Sequence, residues 1–392
     1  MLDFFNVGME MVFDAVVVGS GPSGATAAFF LAKEGYSVAI IEKEKLPRYK
    51  TCGGGLIHRG KKLLPFDISS AIDKEFTCIE AYFSNQNLHL KSERPFPVVS
   101  MVMRDKLDQC IVNESVKLGV KLFEKHKLVQ IEYKDELSYL TTDQGVITAR
   151  FVIGADGALS PTAKLAGWKK DTRFLVPALE YEVFVKPEKF DQLSKEVRFD
   201  IDFLPKGYAW NFPKKNHLSL GVVAFSRSRI DLKKYYQDYI HFLGIEASDI
   251  VNEEAHGFQI PVTYRSDGFV RNNVFLIGDA AGFADPITAE GISNAIYSGK
   301  IVAESIIESK LFLKEASLLY DKKLKEKLLP ELKTATFLAN VFYNQPKIRN
   351  FIINKSGNKF AEYLTAIFVG EKNYPNDLIK SVKTLIKESV FN

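Results

Sequence analysis

The chain has 392 residues, 46% of them hydrophobic and 26% charged, an ordinary globular composition spread over more sequence than one hydrophobic core usually supports. Its 52 lysines and arginines against 48 aspartates and glutamates are scattered and form no basic stripe, which argues against a nucleic acid partner. Cys52, Cys78 and Cys110 lie far apart with no CxxC pair, which excludes a four-thiolate cluster or zinc site from this chain alone; no metal is expected, and any redox cofactor is organic or haem-like.

In chain order, the opening MLDFFNVGMEM has neither a basic region nor a long apolar run, and no later window reaches about 18 uninterrupted apolar residues, so a cytoplasmic protein is expected. Val12 to Val18 reads as a β-branched strand, Gly19 to Gly24 as a glycine-rich turn, Ala25 to Lys33 as a helix ending at Gly35, and Ser37 to Ile41 as a second strand, together one βαβ unit. Thr77 to Pro97 alternates apolar and polar residues, which predicts half-buried antiparallel strands outside the first domain. Arg104 to Gly119 returns to helical spacing, and the runs Leu128 to Tyr133 and Leu137 to Thr142 lead through a turn at Gln144-Gly145 into Val146 to Ile153. LVPALEYEVFV, VRFDIDFL, YAWNFP and HLSLGVVAF follow as four strands of an antiparallel sheet. Val274 to Ile277 is a buried-type strand, and from Glu290 onward the pattern is helical.

Gly19-Ser20-Gly21-Pro22-Ser23-Gly24 follows a strand and opens a helix, so its glycines permit a tight turn and let helix N–H groups face a pyrophosphate. Glu42 ends the second strand, where a carboxylate accepts from ribose hydroxyls and repels a 2′-phosphate. NAD and FAD both remain open at this step. Gly278-Asp279 ends a later strand beside the same crevice, and Asp279 suits a second hydroxyl-rich chain such as ribityl. Beyond it, Asp285 to Ile292 leads into a helix with Thr288 as the expected N-cap; free N–H groups at such an end stabilise an anionic flavin edge.

Together these features resemble the FAD-dependent family that includes aromatic hydroxylases, flavin halogenases and geranylgeranyl reductases. The resemblance implies that Gly154-Ala155-Asp156-Gly157 is a shared motif and that Arg104 lies along the FAD. Pro47 to Gly55 (PRYKTCGGG) and Tyr208 to Pro213 (YAWNFP) look like the geranylgeranyl reductases. The implied cofactor set is Gly19, Gly21, Pro22, Ser23, Gly24, Glu42, Lys43, Arg48, Cys52, Gly53 and Gly54, then Arg104, Asp156, Gly157, Gly278, Asp279, Pro286, Gly291 and Ile292. Tyr208, Trp210, Phe212 and Pro213 are the implied isoprenoid wall, and period-2 alternation sets the three aromatics on one strand face. The family pattern continues with GxG, whereas here Gly221 is followed by Val223, which narrows the pocket floor.

The expected fold class is α/β (α+β). A doubly wound, Rossmann-like FAD-binding domain (12–76, 101–165 and 268–310) interleaves with an antiparallel-sheet substrate domain (77–100 and 166–267), followed by a helical C-terminal region (311–392). The expected activity is saturation of isolated C=C bonds in a prenyl chain on a lipid or quinone. The Cys52 thiol or a nearby water is the acid, with inert packing the competing reading for Cys52; Cys78 and Cys110 are assigned to packing. One dinucleotide turn leaves NAD(P)H or a small electron carrier, including an electron-donor protein, as a transient reductant. A peripheral approach to the inner membrane face through Phe337 to Tyr343 or Phe360 to Val369 stands beside plain helix packing for those aromatics. The alternatives are a flavin monooxygenase or halogenase, and a quinone-linked electron-transfer flavoprotein.

Overall fold

The computed structural model describes residues 12–83 and 86–374; the expectations for the opening residues and for the tail beyond 374 lie outside the described residues. The strands in chain order are β1 (Val12–Val18), β2 (Val38–Ile41), β3 (Gly55–Ile57), β4 (Ile72–Phe76), β5 (Cys78–Phe83), β6 (Leu88–Glu93), β7 (Val99–Val102), β8 (Lys121–Phe123) and β9 (Leu128–Lys134). They continue as β10 (Leu137–Thr142), β11 (Gly145–Gly154), β12 (Leu175–Val185), β13 (Arg198–Ile201), β14 (Gly207–Pro213), β15 (Leu218–Ala224), β16 (Ile250–Pro261), β17 (Val270–Arg271) and β18 (Val274–Leu276).

The β-branched run of β1 sits at the centre of a mainly parallel sheet ordered β17-β18-β11-β1-β2-β8, where Val16 lies opposite both Ala39 and Val152. Such strands are covered on both faces, which is why they read as continuous apolar runs: Val16, Val17, Ile40, Val152 and Ile153 are all inaccessible. The helix Pro22–Lys33 packs against the helix Ile292–Glu308 so closely that a Cβ on Gly299 would stand 2.3 Å from Ser23 O. The β9–β10 hairpin extends the sheet from β11.

A seven-stranded sheet, ordered β16-β12-β15-β14-β13-β5-β6, stands beside it. It departs from the antiparallel expectation at one pair, because β5 runs parallel to β13, with Phe199 opposite Ala81. The two strands reach the sheet from distant parts of the chain, and without a shared tight turn nothing forces them antiparallel. A small sheet ordered β3-β7-β4 joins the two larger ones and was not expected, since three-to-five-residue strands carry almost no periodicity.

Among the described residues, the C-terminal region holds the helices Leu313–Lys327, Leu329–Asn344 and Pro346–Phe368. Phe342, Tyr343 and Phe368 are buried in one cluster with Tyr208 and Trp210, so the structure assigns these aromatics to packing. Arg349 anchors this layer through a buried ion pair with Asp202. Among the described residues, no helix is long and apolar enough to cross a membrane.

Candidate active site

A cavity of about 730 Å³ runs from the first strand–helix turn to the aromatic face of β14. At its nucleotide end the backbone forms the wall. Gly19 has φ +104°, and a Cβ there would stand 2.5 Å from Ala155 O, so only glycine fits. Gly21 is open to the cavity, its nearest neighbour being Arg104 Nη2 at 3.6 Å from an added Cβ.

Around this turn the charges form a chain. Glu42 accepts from Ser20 N at 3.1 Å and Ser20 Oγ at 2.5 Å, and lies 3.4 Å from Arg48 Nε. Burial alone would raise the Glu42 carboxyl, but Arg48 and the Ser20 bonds outweigh it and hold it below the usual range. Arg48 reaches on to Asp108 at 3.0 Å, and Asp108 takes two bonds from Arg104, at 2.8 and 2.9 Å. Burial works against the Arg104 charge, yet Asp108 and Cys52 hold its proton firmly.

Asp279 opens the short helix Gly278–Ala281 at the middle of the cavity, its carboxyl raised by burial against the pull of Lys50, Arg104 and Arg173. Asp156 lines the wall but is engaged by its own turn, accepting from Ser160 Oγ at 2.5 Å and Thr162 N at 2.7 Å. The next segment corrects one expectation. Thr288 is not the N-cap: Asp285 Oδ1 gathers Ile287 N, Thr288 N and Thr288 Oγ1, and the helix begins only at Ile292 after Gly291. The first turn is instead tied back by Glu290, whose Oε1 accepts from Ser293 N at 2.8 Å. Glu290 is a cavity carboxyl pushed up to about 7 by burial.

At the other end side chains make the wall. Tyr208, Trp210 and Phe212 follow one another with ring centroids 6.1 and 6.0 Å apart. Trp210 lies over Gly221, where an added Cβ would come 2.2 Å from Cζ2, and Val223 faces Tyr208 across the β14–β15 ladder. The Cys52 loop rests on this wall: a Cβ on Gly53 would meet Phe212 at 3.0 Å, while Cys52 Sγ accepts from Gly54 N at 3.4 Å. A smaller cavity of about 80 Å³ continues under the C-terminal helices, sharing Ile79, Phe199, Tyr208, Thr288 and Phe368 with the larger one.

The cavity thus gathers Gly19, Gly21, Pro22, Ser23, Glu42, Lys43, Arg48, Cys52, Gly53, Gly54 and Arg104, along with Asp156, Gly157, Asp279, Gly291, Ile292 and the three aromatics. Gly24, Gly278, Pro286 and Pro213 lie off its surface; a Cβ on Gly24 would stand 2.1 Å from Gly19 O, and one on Gly278 would stand 2.7 Å from Ser23 Oγ. Lys50, Glu180 and Glu290 also line the cavity, and sequence reasoning passed over the two glutamates. Lys50 is brought down to about 8 by burial, with its Nζ 3.3 Å from the centre of the Phe258 ring. The signal for Glu180 was a pair of glutamates two apart, on one face of an otherwise apolar strand.

A family described as the FAD binding domain matches residues 12–308. The chain belongs to this family. As a member it is an FAD-dependent oxidoreductase, and its relatives include geranylgeranyl reductases. It is 30% identical to an uncharacterised protein of Methanosarcina barkeri over 87% of each chain, and 29% identical to digeranylgeranylglycerophospholipid reductase 1 of Methanococcoides burtonii over 76% of each. The fold is shared with a geranylgeranyl bacteriochlorophyll reductase-like protein of Thermoplasma acidophilum, with a TM-score of 0.73, 24% identity, and 97% of this chain and 96% of that one covered.

Proposed function

We propose that this chain saturates isolated C=C bonds in a prenyl chain carried by a lipid or quinone. The observation that carries the reading is the single cavity joining a backbone-walled dinucleotide turn to the Cys52 loop and the Tyr208–Trp210–Phe212 wall. The residues fit FAD: glycine at 19, where an added Cβ would strike Ala155 O, keeps the turn tight, Gly21 is open to the cavity, and Gly157, with φ +82° and nothing within 4 Å of an added Cβ, leaves room beside it. The reductase names among the relatives support the substrate class.

Bound FAD would supply a hydride to one alkene carbon. Arg48 and Arg104 would balance the diphosphate charge, Glu42 and Lys43 would meet the adenosine ribose, and Asp279 would meet the ribityl hydroxyls. The N–H groups at Gly291 and Ile292 would face the anionic edge of the ring. The aromatic wall orients the prenyl chain and excludes water, and the Cys52 thiol gives its proton to the second carbon, leaving a thiolate beside the Arg104 cation. NAD(P)H or a small electron carrier would recharge the protein by transient docking, and a substrate that partitions into bilayers calls for peripheral approach from the cytoplasm.

The test is to reduce the purified flavoprotein anaerobically with dithionite, add a geranylgeranylated lipid, and follow its mass. A gain of two hydrogens per bond is expected. An unchanged lipid, together with oxygen-dependent hydroxylation of an aromatic compound by the same reduced protein, would overturn the reading in favour of a monooxygenase.

A further inference from the structure

Against the Cys52 loop lies a cluster of ionisable groups that cofactor binding does not use. Glu180 and Glu182 share one face of β12 and are only 2% and 3% exposed. Glu180 accepts from Ser219 Oγ at 3.2 Å, Glu182 Oε2 lies 3.0 Å from His217 Nε2, and Tyr49 Oη donates to Glu182 Oε1 at 3.4 Å. Lys214, wholly inaccessible, donates to Gly53 O at 2.6 Å and Val102 O at 3.1 Å, so its ammonium grips the loop that carries Cys52. From β16, His256 stands in register with Glu180 and stacks on Tyr49 at 4.0 Å.

Two carboxylates this close in a low-dielectric interior do not both ionise; the pair holds a proton. Burial pushes Glu180 up to about 8, and the neighbouring Glu182 adds to the rise. Burial also lifts Glu182, but His217 and Lys214 outweigh it and keep that carboxyl low. Burial draws Lys214 down, against the pull of Glu182, Glu180, Cys52 and Asp73. A structural ion pair would need one carboxylate for one ammonium, and apolar residues would fill the space at lower cost. Here a second carboxyl is retained, and the ammonium, held on Gly53 O and Val102 O, feels the charge of the pair and of the thiol together.

We propose that Glu180, Glu182 and Lys214 form a buried proton store that returns a proton to Cys52 after each reduction, refilled from solvent through His217 and Tyr49. This rests on Cys52 as the proton donor. The thiolate takes the carboxyl proton of Glu180 through water in the cavity that both residues line, Lys214 keeps its own proton and balances the charge, and the carboxylate pair regains a proton from solvent through His217. Each hop moves one proton, and no electrons are exchanged. Lys214 has a second task as a positioning residue, since its two carbonyl bonds fix the loop to β7.

The test reads the thiol directly. In the flavoprotein carrying Cys78→Ser and Cys110→Ser, the rate of Cys52 alkylation by iodoacetamide is measured across pH. With the store in place, the alkylation profile is expected to extend over more than one step, because ionisation of Glu180 adds a negative charge to the cluster. Glu180→Gln is expected to narrow the profile to one step at lower pH, with alkylation at pH 8 faster by about tenfold, one pH unit being a factor of ten. Lys214→Gln is expected to move the profile the other way, and if that variant does not fold, Glu180→Gln decides alone. Repeat turnover of Glu180→Gln should fall by about tenfold more than its first turnover, within the range of a general acid's contribution. Superimposable alkylation profiles and equal losses in first and repeat turnover would refute the store. The reading of Cys52 fails separately, if Cys52→Ala leaves the first turnover at full rate.

Discussion

The two ends of the cavity are built from different material. At the nucleotide end the wall is main chain, defined by positions such as Gly19 where a Cβ cannot go. At the aromatic end it is side chain, with Trp210 laid over Gly221 and Val223 facing Tyr208. A wall of backbone has one shape and fails abruptly when altered. A wall of side chains changes by the volume of a methyl group, so the same cofactor site can serve different substrates.

The sharpest break of that contrast is Gly24→Ala. Its new Cβ would press on Gly19 O at 2.1 Å and Ala155 Cβ at 2.9 Å, with expected losses of about 3 kcal/mol of stability and of the bound flavin. Thermal unfolding and visible absorbance read both, and a stable yellow variant would mean the backbone wall yields after all.

Glu290→Gln probes the seam between the ends. A carboxyl raised to about 7 from an ordinary 4.5 binds its proton in the folded protein where the unfolded chain has released it. Its stabilising contribution is therefore full at pH values below 4.5 and lost as pH rises through 7. Glutamine keeps the neutral form, so in the flavin-free protein it should add about 3 kcal/mol at pH 8 and little at pH 4, by urea unfolding. Equal gains at both pH values would show that this carboxyl does not titrate there.

Val223→Ala tests the adaptable end. Trimming a fully buried side chain should cost about 2 kcal/mol in urea unfolding while flavin content holds and bulkier prenyl substrates gain relative rate. Loss of flavin instead would join the two ends energetically. The smallest effect is expected at Ala289, a cavity residue held at φ 56°, where glycine relieves left-handed strain and should stabilise by about 0.5 kcal/mol.

The same contrast explains what was legible. The β-branched run of β1, the glycine turn and the alternation in LVPALEYEVFV each declare a local geometry, and the structure places β1 and β12 at those runs. β16 escaped notice because it is a largely exposed strand with polar residues at Asn252, Glu253, Glu254 and His256, so no buried face imposes a period. Thr288 looked like a cap because it precedes a helix, but Asp285, three residues earlier, draws Ile287 N, Thr288 N and the Thr288 hydroxyl into its own turn, and the helix starts only at Ile292. The Lys214 grip on the Cys52 loop depends on a contact across more than 150 residues, a distance that spacing rules do not reach.

The borders of the seven-stranded sheet are closed in two ways. On one side the helix Pro346–Phe368 lies over β6, so near that a Cβ on Gly357 would touch Leu90 at 2.8 Å, and Glu362 clasps Ser92 and Arg94. On the other, β16 meets solvent with Glu253 and Glu254. The glutamates of an open edge repel a second copy of that edge, and a helix packed on a border strand stands in the way of another strand. Neighbouring copies of the chain would therefore find these two borders poor partners for strand pairing.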